Sequence, residues 1–169
     1  MDIPIKLQEL RVELKKAIDE NGFRQNDERL KRVTMSLPGH FVVVSDSALL
    51  EWCANQDLLD KYLEDTKRMY ASFKIAVDEA KKNPNSRQLM VFNDRNFAKI
   101  HQCFTHFHFV RTERGEFDMY VYQRSSDMSK LKDDLIFFAH QMKKFQKKTG
   151  HAVTALVIIF GHIHYEIEA

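Results

Sequence analysis

The sequence predicts an α/β protein of the α+β type, in which helices pack against a sheet. Apolar residues recur at helical spacing in three long segments and alternate as in strands through much of the second half of the chain. They make up 44% of 169 residues, which is enough for one domain with a buried core. We therefore expect residues 1–169 to form a single domain.

Three helices are expected, over residues 7–21, 58–80 and 133–149. The first ends at Gly22 and the last at Gly150, because glycine tolerates the left-handed conformation that closes a helix. No glycine or proline interrupts the middle segment before Pro84. It is therefore expected to be one long helix or two nearly continuous ones.

Strands are expected over residues 33–44, 89–92, 103–110, 116–123 and 153–160. Pro38 and Gly39 are expected to break the first of them. The turn at Arg114 and Gly115 predicts that residues 103–110 and 116–123 form a hairpin.

The charges are nearly balanced, with 26 basic and 24 acidic residues and a formal net charge of +2. This balance excludes a general polyanion binder. One local cluster stands out at the end of the last helix, formed by Lys143, Lys144, Lys147 and Lys148. We favour a solvated helix face that complements the helix dipole over a nucleic-acid surface.

No basic, apolar leader stands at Met1, and no apolar run approaches the length that spans a membrane. We expect a soluble, cytoplasmic protein. Cys53 and Cys103 lie far apart, without a disulfide framework or metal-ligand spacing, so reduced thiols are expected. His106 and His108, like His162 and His164, alternate along strands, but no further ligands fall at a convincing spacing, so no metal is expected.

The most informative segment is Tyr122-Gln123-Arg124-Ser125-Ser126-Asp127, which follows an alternating strand. Arg124 offers a planar, permanently charged fork, and the Ser125 hydroxyl and the Gln123 amide add donors beside it. This combination suits a phosphate monoester. The alternative is a strand end whose arginine pairs with a carboxylate such as Asp127.

Two further motifs flank this segment. Asn83-Pro84-Asn85-Ser86-Arg87 precedes a short strand, and Gly161 stands three residues before His164. Together with the 122–127 segment, they resemble the thymidylate synthase and deoxycytidylate hydroxymethylase superfamily, particularly its shorter phage members. The resemblance covers most of the chain, and only the YQRSxD pattern is specific by itself.

The resemblance implies a thymidylate synthase-like mixed sheet packed with helices and a homodimer. Arg124 and Ser125 would hold a nucleotide phosphate, Gln123 and Asp127 would support them, and Arg87 would reach the phosphate site of the neighbouring subunit. The implied base and sugar contacts are Asp134, His164 and Tyr165, although Tyr165 directly follows the histidine where the family places tyrosine one position later. Asp134 is otherwise interpreted as a helix N-cap, which we favour.

Other family features are reduced. The segment that supplies a catalytic glutamate and tryptophan-rich walls has no counterpart, and the sole tryptophan is Trp52, farther upstream. Cys103 is the candidate nucleophile, one residue out of register with the family cysteine, and an inert core thiol is the favoured alternative.

We therefore expect a reduced, non-catalytic, phage-like homologue that binds a pyrimidine deoxynucleoside monophosphate, or one reused to bind a host protein. No cofactor is expected for such a protein. The alternatives are an active pyrimidine C5 methyl- or hydroxymethyltransferase, which would use Cys103 and methylenetetrahydrofolate, and a nucleic-acid-binding or scaffold protein. A phage protein would act in the host cytoplasm.

Overall fold

A computed structural model describes residues 2–93 and 104–167 of the chain. Four helices and seven strands follow one another in these parts of the chain. In order, they are α1 (Ile5–Asn21), β1 (Phe23–Asp27), β2 (Arg32–Val44), α2 (Ser47–Ala54), α3 (Asp60–Lys82), β3 (Met90–Phe92), β4 (Phe104–Arg111), β5 (Phe117–Gln123), β6 (Ser126–Asp127), α4 (Leu131–Thr149) and β7 (Val153–Ile167). The predicted α/β class is confirmed.

All seven strands form one mixed sheet in the order β1-β2-β7-β5-β4-β3, and the short β6 also pairs with β7. Neighbours run antiparallel except where β5 and β6 lie parallel to β7. The parallel β5–β7 pair needs a long crossover, which α4 provides. The predicted hairpin of β4 and β5 is confirmed, and the central strand β7 is the last described element of the chain.

The predicted break at Pro38 and Gly39 is wrong. β2 runs unbroken from Arg32 to Val44, and its register with β7 stays constant on both sides of these two residues. Gly39 takes a φ of 64°, a left-handed value that a glycine adopts at little cost. The last predicted helix is confirmed: α4 begins at Leu131, two residues before the expected start near residue 133, and ends at Thr149.

The core lies between the sheet and helices α3 and α4, and aromatic rings fill it. Phe109 of β4 stacks on Phe145 of α4 with ring centroids 3.8 Å apart, and Phe73 of α3 meets both rings edge-on. Phe104 and Phe107 stack on each other and contact two further rings of α4. One face of the sheet is thus buried against helices.

The opposite face is uncovered over much of its area, and we call it the open face. Cross-strand pairing places on this face Met90 and Phe92 of β3, His106 and His108 of β4, Tyr120 and Tyr122 of β5, Val157 and Ile159 of β7, and Phe41 and Val43 of β2. Phe41 is 63% exposed, Val43 56% and Phe92 51%. Exposed apolar side chains clustered on one sheet face are typical of an interaction surface.

No helix within residues 2–93 and 104–167 is both long and apolar enough to cross a bilayer.

Candidate functional site

A polar cleft lies at the end of the sheet where β5 gives way to the 124–127 segment. It measures about 460 Å³ and is lined by polar side chains of β1, β2 and β7 together with Ser125. A smaller hollow of about 180 Å³ adjoins it, since both share Arg32, Ser125 and His164, and continues towards Asp134. The cleft and hollow lie on the same side of the sheet as α3 and α4, because His162 and His164 share one side of β7 with the buried core residues Ile158 and Phe160.

A chain of four side chains lines the cleft. The Arg32 guanidinium lies 3.3 Å from Nε2 of His164, Nδ1 of His164 lies 3.3 Å from Nδ1 of His162, and Nε2 of His162 lies 2.9 Å from Oε1 of Gln25. Arginine only donates, so His164 accepts at Nε2 and donates from Nδ1. His162 then donates from Nε2 to Gln25. Every contact is satisfied when both imidazoles are neutral.

Burial favours the same neutral state, because it lowers the pKa of His164 and of His162 below the usual value. Only 6% of the His164 side chain is exposed. The cleft therefore presents uncharged imidazoles with fixed donor and acceptor positions.

Asp127 anchors the 124–127 segment to this chain. Its Oδ1 accepts from the backbone N–H and the hydroxyl of Ser129, and its Oδ2 lies 3.6 Å from the Arg32 guanidinium. Burial opposes ionisation of Asp127, but the hydrogen bonds from Ser129 and the charge of Arg32 bring its pKa below the usual value. The carboxylate is thus committed to Arg32 and Ser129, and it holds β6 against β2.

Asp134 lies at the inner end of the smaller hollow. Tyr62 of α3 donates its hydroxyl hydrogen to Oδ1 over 3.2 Å, and the Gln123 amide donates to Oδ2 over 3.1 Å. Burial raises the pKa of Asp134 to about 7 despite these donors. A carboxyl that titrates near neutrality beside a polar hollow is typical of a functional group.

The favoured N-cap interpretation of Asp134 is wrong. α4 starts at Leu131, so Asp134 lies inside the first turn, and no side chain caps this helix. Asp127 does cap the short 3₁₀ turn Met128–Lys130.

Of the predicted site residues, the structure brings together Gln123, Ser125, Asp127, Asp134 and His164, all of which line the smaller hollow. Arg124 is exposed at the end of β5. Its backbone carbonyl lies over Gly161, where a Cβ atom would come within 2.8 Å of the carbonyl oxygen. The GxxH motif thus needs glycine because β5 and β7 approach closely there.

The other predicted residues lie elsewhere. Arg87 is exposed before β3, and its carbonyl accepts from Nε2 of His108 on the open face. Tyr165 turns towards α1 and donates to Asp19. Cys103 lies outside the described residues. Cys53 is a free, buried thiol whose pKa burial raises to about 11, which makes it a poor nucleophile.

Among the described residues, no group of three or more histidine, cysteine or acidic side chains is arranged to hold a metal ion. His106 and His108 lie on the open face, whereas His162 and His164 line the cleft.

Sequence reasoning missed Arg32, Tyr62 and Gln25. Tyr62 lies on the apolar face of α3, where its position predicts packing and gives no hint that its hydroxyl reaches a carboxyl group. Arg32 contacts His164 and Gln25 contacts His162 because their strands pair. No sequence pattern near these residues indicates that pairing.

Comparison with known proteins supports the fold assignment. No family model and no curated protein matches the sequence. Among solved structures, the chain is similar to thymidylate synthase from T4 phage, with a TM-score of 0.67 and 18% identity. The match covers 92% of this chain and 76% of that one.

The chain has a thymidylate synthase-like fold. At 18% identity, the likeness extends to the thymidylate synthase fold and no further. The fold predicted from three short motifs is therefore confirmed.

Proposed function

We propose that this chain is a reduced thymidylate synthase-like protein that binds a pyrimidine deoxynucleoside monophosphate without transferring a carbon to it. The observation that carries the proposal is the continuous polar space from Ser125 to Asp134. Its larger part, about 460 Å³, falls within the range of small-molecule sites. Its inner end offers a buried carboxyl group that can recognise a base.

The phosphate would bind at the outer end. Ser125 lines the cleft, and the neighbouring Arg124 is exposed and forms no ion pair with an acidic side chain of residues 2–93 or 104–167. A guanidinium free to move can close on a phosphate in a bidentate manner, with the serine hydroxyl beside it. Arg32 is less available, because its two Nη atoms already contact Asp127 and His164.

The sugar and base would extend inwards. His164 would donate to or accept from a sugar hydroxyl, and the Asp134 carboxyl would meet the base in the smaller hollow. As a carboxylate, Asp134 would accept from the amino group of cytosine. As a neutral acid, it would donate to the carbonyl of uracil. A pKa of about 7 gives both forms near neutral pH, so base preference would change with pH.

A homodimer would complete the phosphate site. The open face exposes apolar side chains from four strands, and such a surface becomes buried when two copies pack face to face about a two-fold axis. Arg87 lies next to this face, through its carbonyl contact with His108. In such a dimer, Arg87 of each copy would approach the phosphate bound by the other.

The proposed lack of catalysis is inferred from the continuity of α3. This helix runs without interruption from Asp60 to Lys82 and leads within eight residues to β3. No room remains there for the segment that would bring a catalytic glutamate and the walls of a folate site. The proposed function accordingly uses no cofactor.

Calorimetric titration with deoxyuridylate and deoxycytidylate tests the proposal. We expect saturable binding, weakened at least tenfold by Arg124→Ala and unchanged by Arg114→Ala. Arg114 is another exposed arginine at the opposite end of β5, in the turn before it. Absence of binding to either nucleotide, or equal weakening by both variants, would refute the nucleotide site.

Two alternatives predict different results in further binding and activity measurements. A C5 transferase would bind methylenetetrahydrofolate and turn over deoxynucleotide, and Cys103→Ser would abolish that turnover. A nucleic-acid-binding protein would bind single- or double-stranded DNA with an affinity that falls steeply with added salt. If neither nucleotide nor nucleic acid binds, the remaining hypothesis is an interaction protein that docks on a host protein through the open face.

A further inference from the structure

A second concave surface lies on the helical side of the protein, in a groove between α3 and α4. We call it the lysine groove. Its volume is about 160 Å³, and its rim carries two lysines from each helix: Lys74, Lys81, Lys144 and Lys148. Tyr70, Phe73 and Val77 line the rest, together with the acidic Asp78.

The groove carries an excess of positive charge. Four ammonium groups face one carboxylate, a net charge of +3 for the lining residues. Within the described residues, none of these four lysines is in an ion pair with an acidic side chain. The nearby Lys143 differs, because it pairs with Glu51 of α2 over 2.6 Å. The four lysines predicted to form one stripe on α4 therefore lie in different environments. Lys143 pairs with Glu51, whereas Lys144 and Lys148 line the groove.

Lys144 is the central residue of the groove. Its Nζ lies 4.6 Å from the ring centroid of Phe73, and the side chain is only partly exposed. Burial and the adjacent charge of Lys148 both lower the pKa of Lys144. A solvated helix face would leave such an ammonium group in water. Here the Lys144 ammonium group instead lies over the Phe73 ring and near the like charge of Lys148, an arrangement that a bound anion would stabilise.

The floor of the groove limits the shape of the ligand. Phe73 and Val77 close the bottom of the groove but are almost fully buried, so they offer a ligand little surface, whereas Tyr70 at the edge is 60% exposed. A cavity of about 150 Å³ accommodates a benzene ring. The lysine groove has that size, and its lysines surround the ring position with donors that suit a dianion.

We propose that the lysine groove binds an aryl phosphate, with its single ring against the exposed Tyr70 and its phosphate among Lys144, Lys148, Lys74 and Lys81. The ring belongs either to a free small molecule or to a phosphotyrosine side chain, since both present the same chemistry. This site is separate from the cleft at Ser125 and does not depend on the proposed nucleotide function.

The test is an NMR titration of ¹⁵N-labelled protein with phenyl phosphate. We expect saturable shift changes confined to amides of residues 70–81 and 144–148. Inorganic phosphate and benzyl alcohol, which offer the charge and the ring separately, should each bind at least fivefold more weakly. Equal affinity for inorganic phosphate would overturn the ring contact, and absence of saturation would overturn the site.

Matched variants separate the groove from general surface charge. Lys144→Gln combined with Lys148→Gln should weaken binding at least tenfold, whereas Lys147→Gln, an exposed lysine of the same helix turn outside the groove, should change it less than twofold. If the double variant fails to fold, Lys74→Gln with Lys81→Gln, at two exposed positions, tests the same phosphate contact. Equal weakening by Lys147→Gln would overturn the proposal.

Two further arms identify the source of the ligand and its independence. A phosphotyrosine peptide that binds more tightly than phenyl phosphate would assign a protein partner, and equal affinity would assign a free small molecule. Arg124→Ala should leave phenyl phosphate binding unchanged. If it abolishes the binding, the ligand occupies the nucleotide cleft and the lysine groove is not a site.

Discussion

The hydroxyl of Tyr62 donates a hydrogen bond to Oδ1 of Asp134 over 3.2 Å and so joins α3 to the first turn of α4. The Gln123 amide donates to the other carboxyl oxygen, so the end of β5 meets both helices at this carboxyl. The Oε1 atom of Gln123 is buried without a hydrogen-bond partner among the described residues. If the amide turned over, Oε1 would accept from a protonated Asp134, so the same three residues can serve either protonation state.

Asp134→Asn should change how stability depends on pH. The pKa of Asp134 is about 7 in the folded protein and near 3.8 in the unfolded chain, so folding favours the protonated acid. Its contribution is therefore fully present below about pH 4 and lost as the pH rises to about 7. Relative to the asparagine variant, the parent should lose several kcal/mol over this window, since one pKa unit is about 1.4 kcal/mol.

Urea unfolding at intervals from pH 4 to pH 8 measures this difference. Asp133→Asn, at the adjacent and more exposed position, should give a curve parallel to that of the parent. Parallel curves for the parent and the Asp134 variant would contradict the prediction.

Titration of the pair His162 and His164 should change stability with pH in the opposite direction to Asp134, so that stability falls as the pH falls. Protonation of His164 at Nε2 would set an N–H against the Arg32 guanidinium, and burial already lowers the pKa of this histidine. A group with a lowered pKa stabilises the fold above its unfolded pKa, near 6.5, and this stability disappears as the pH falls. The parent should thus lose stability below pH 6.5 relative to His164→Gln. Both proteins should carry Asp134→Asn, so that the carboxyl does not mask the effect, and an unchanged difference from pH 7 to pH 5 would argue against the neutral pair.

Gly161→Ala should destabilise the fold. An added Cβ would come within 2.8 Å of both the Arg124 carbonyl oxygen and the Tyr122 hydroxyl oxygen, and backbone atoms yield little. Overpacking of this kind typically costs about 1–3 kcal/mol, which chemical denaturation can measure. Adding Tyr122→Phe should restore part of the loss by removing one of the two contacts. Wild-type stability of the alanine variant would show that β5 and β7 can separate there without cost.

Phe41→Asp should convert the proposed dimer to a monomer, because it places a charge on the open face beside Ile159 of β7. Sedimentation velocity gives the mass directly. Ile75→Asp is the matched control, since Ile75 is 68% exposed on α3, away from the sheet, and Phe41 is 63% exposed. A parent that sediments as a monomer at high concentration would refute the dimer, and with it the role of Arg87.

Local patterns in the sequence predicted most of the fold. The apolar spacing of α1, α3 and α4 and the alternation of β4 and β5 each record a buried face, and the structure confirms these elements. β1 was missed because Phe23–Asp27 is mostly exposed and polar, so no apolar alternation marks it. α2 was missed although Asp46, its N-cap, and the apolar residues after it gave a signal.

The site was predicted less completely, for a physical reason. Ser125, Asp127 and Asp134 belong to one continuous segment, so a motif can indicate them together. Arg32 reaches His164 because β2 pairs with β7, and no pattern near either residue records that pairing.

The same β2–β7 pairing has a consequence for how the protein is made. Arg32 and His164 are 132 residues apart along the chain, so their contact closes a loop that includes nearly every other element. Closing so long a loop costs more entropy than local hairpin or helix formation, and sheets rich in such contacts fold slowly. During synthesis, β5, α4 and their neighbours can associate before β7 is made. Until then, the edge of β2 that pairs with β7 remains unpaired. The cleft is therefore assembled last, and a chain that stops before His164 leaves residues 33–36 of β2 without their β7 partners and exposed to other strands.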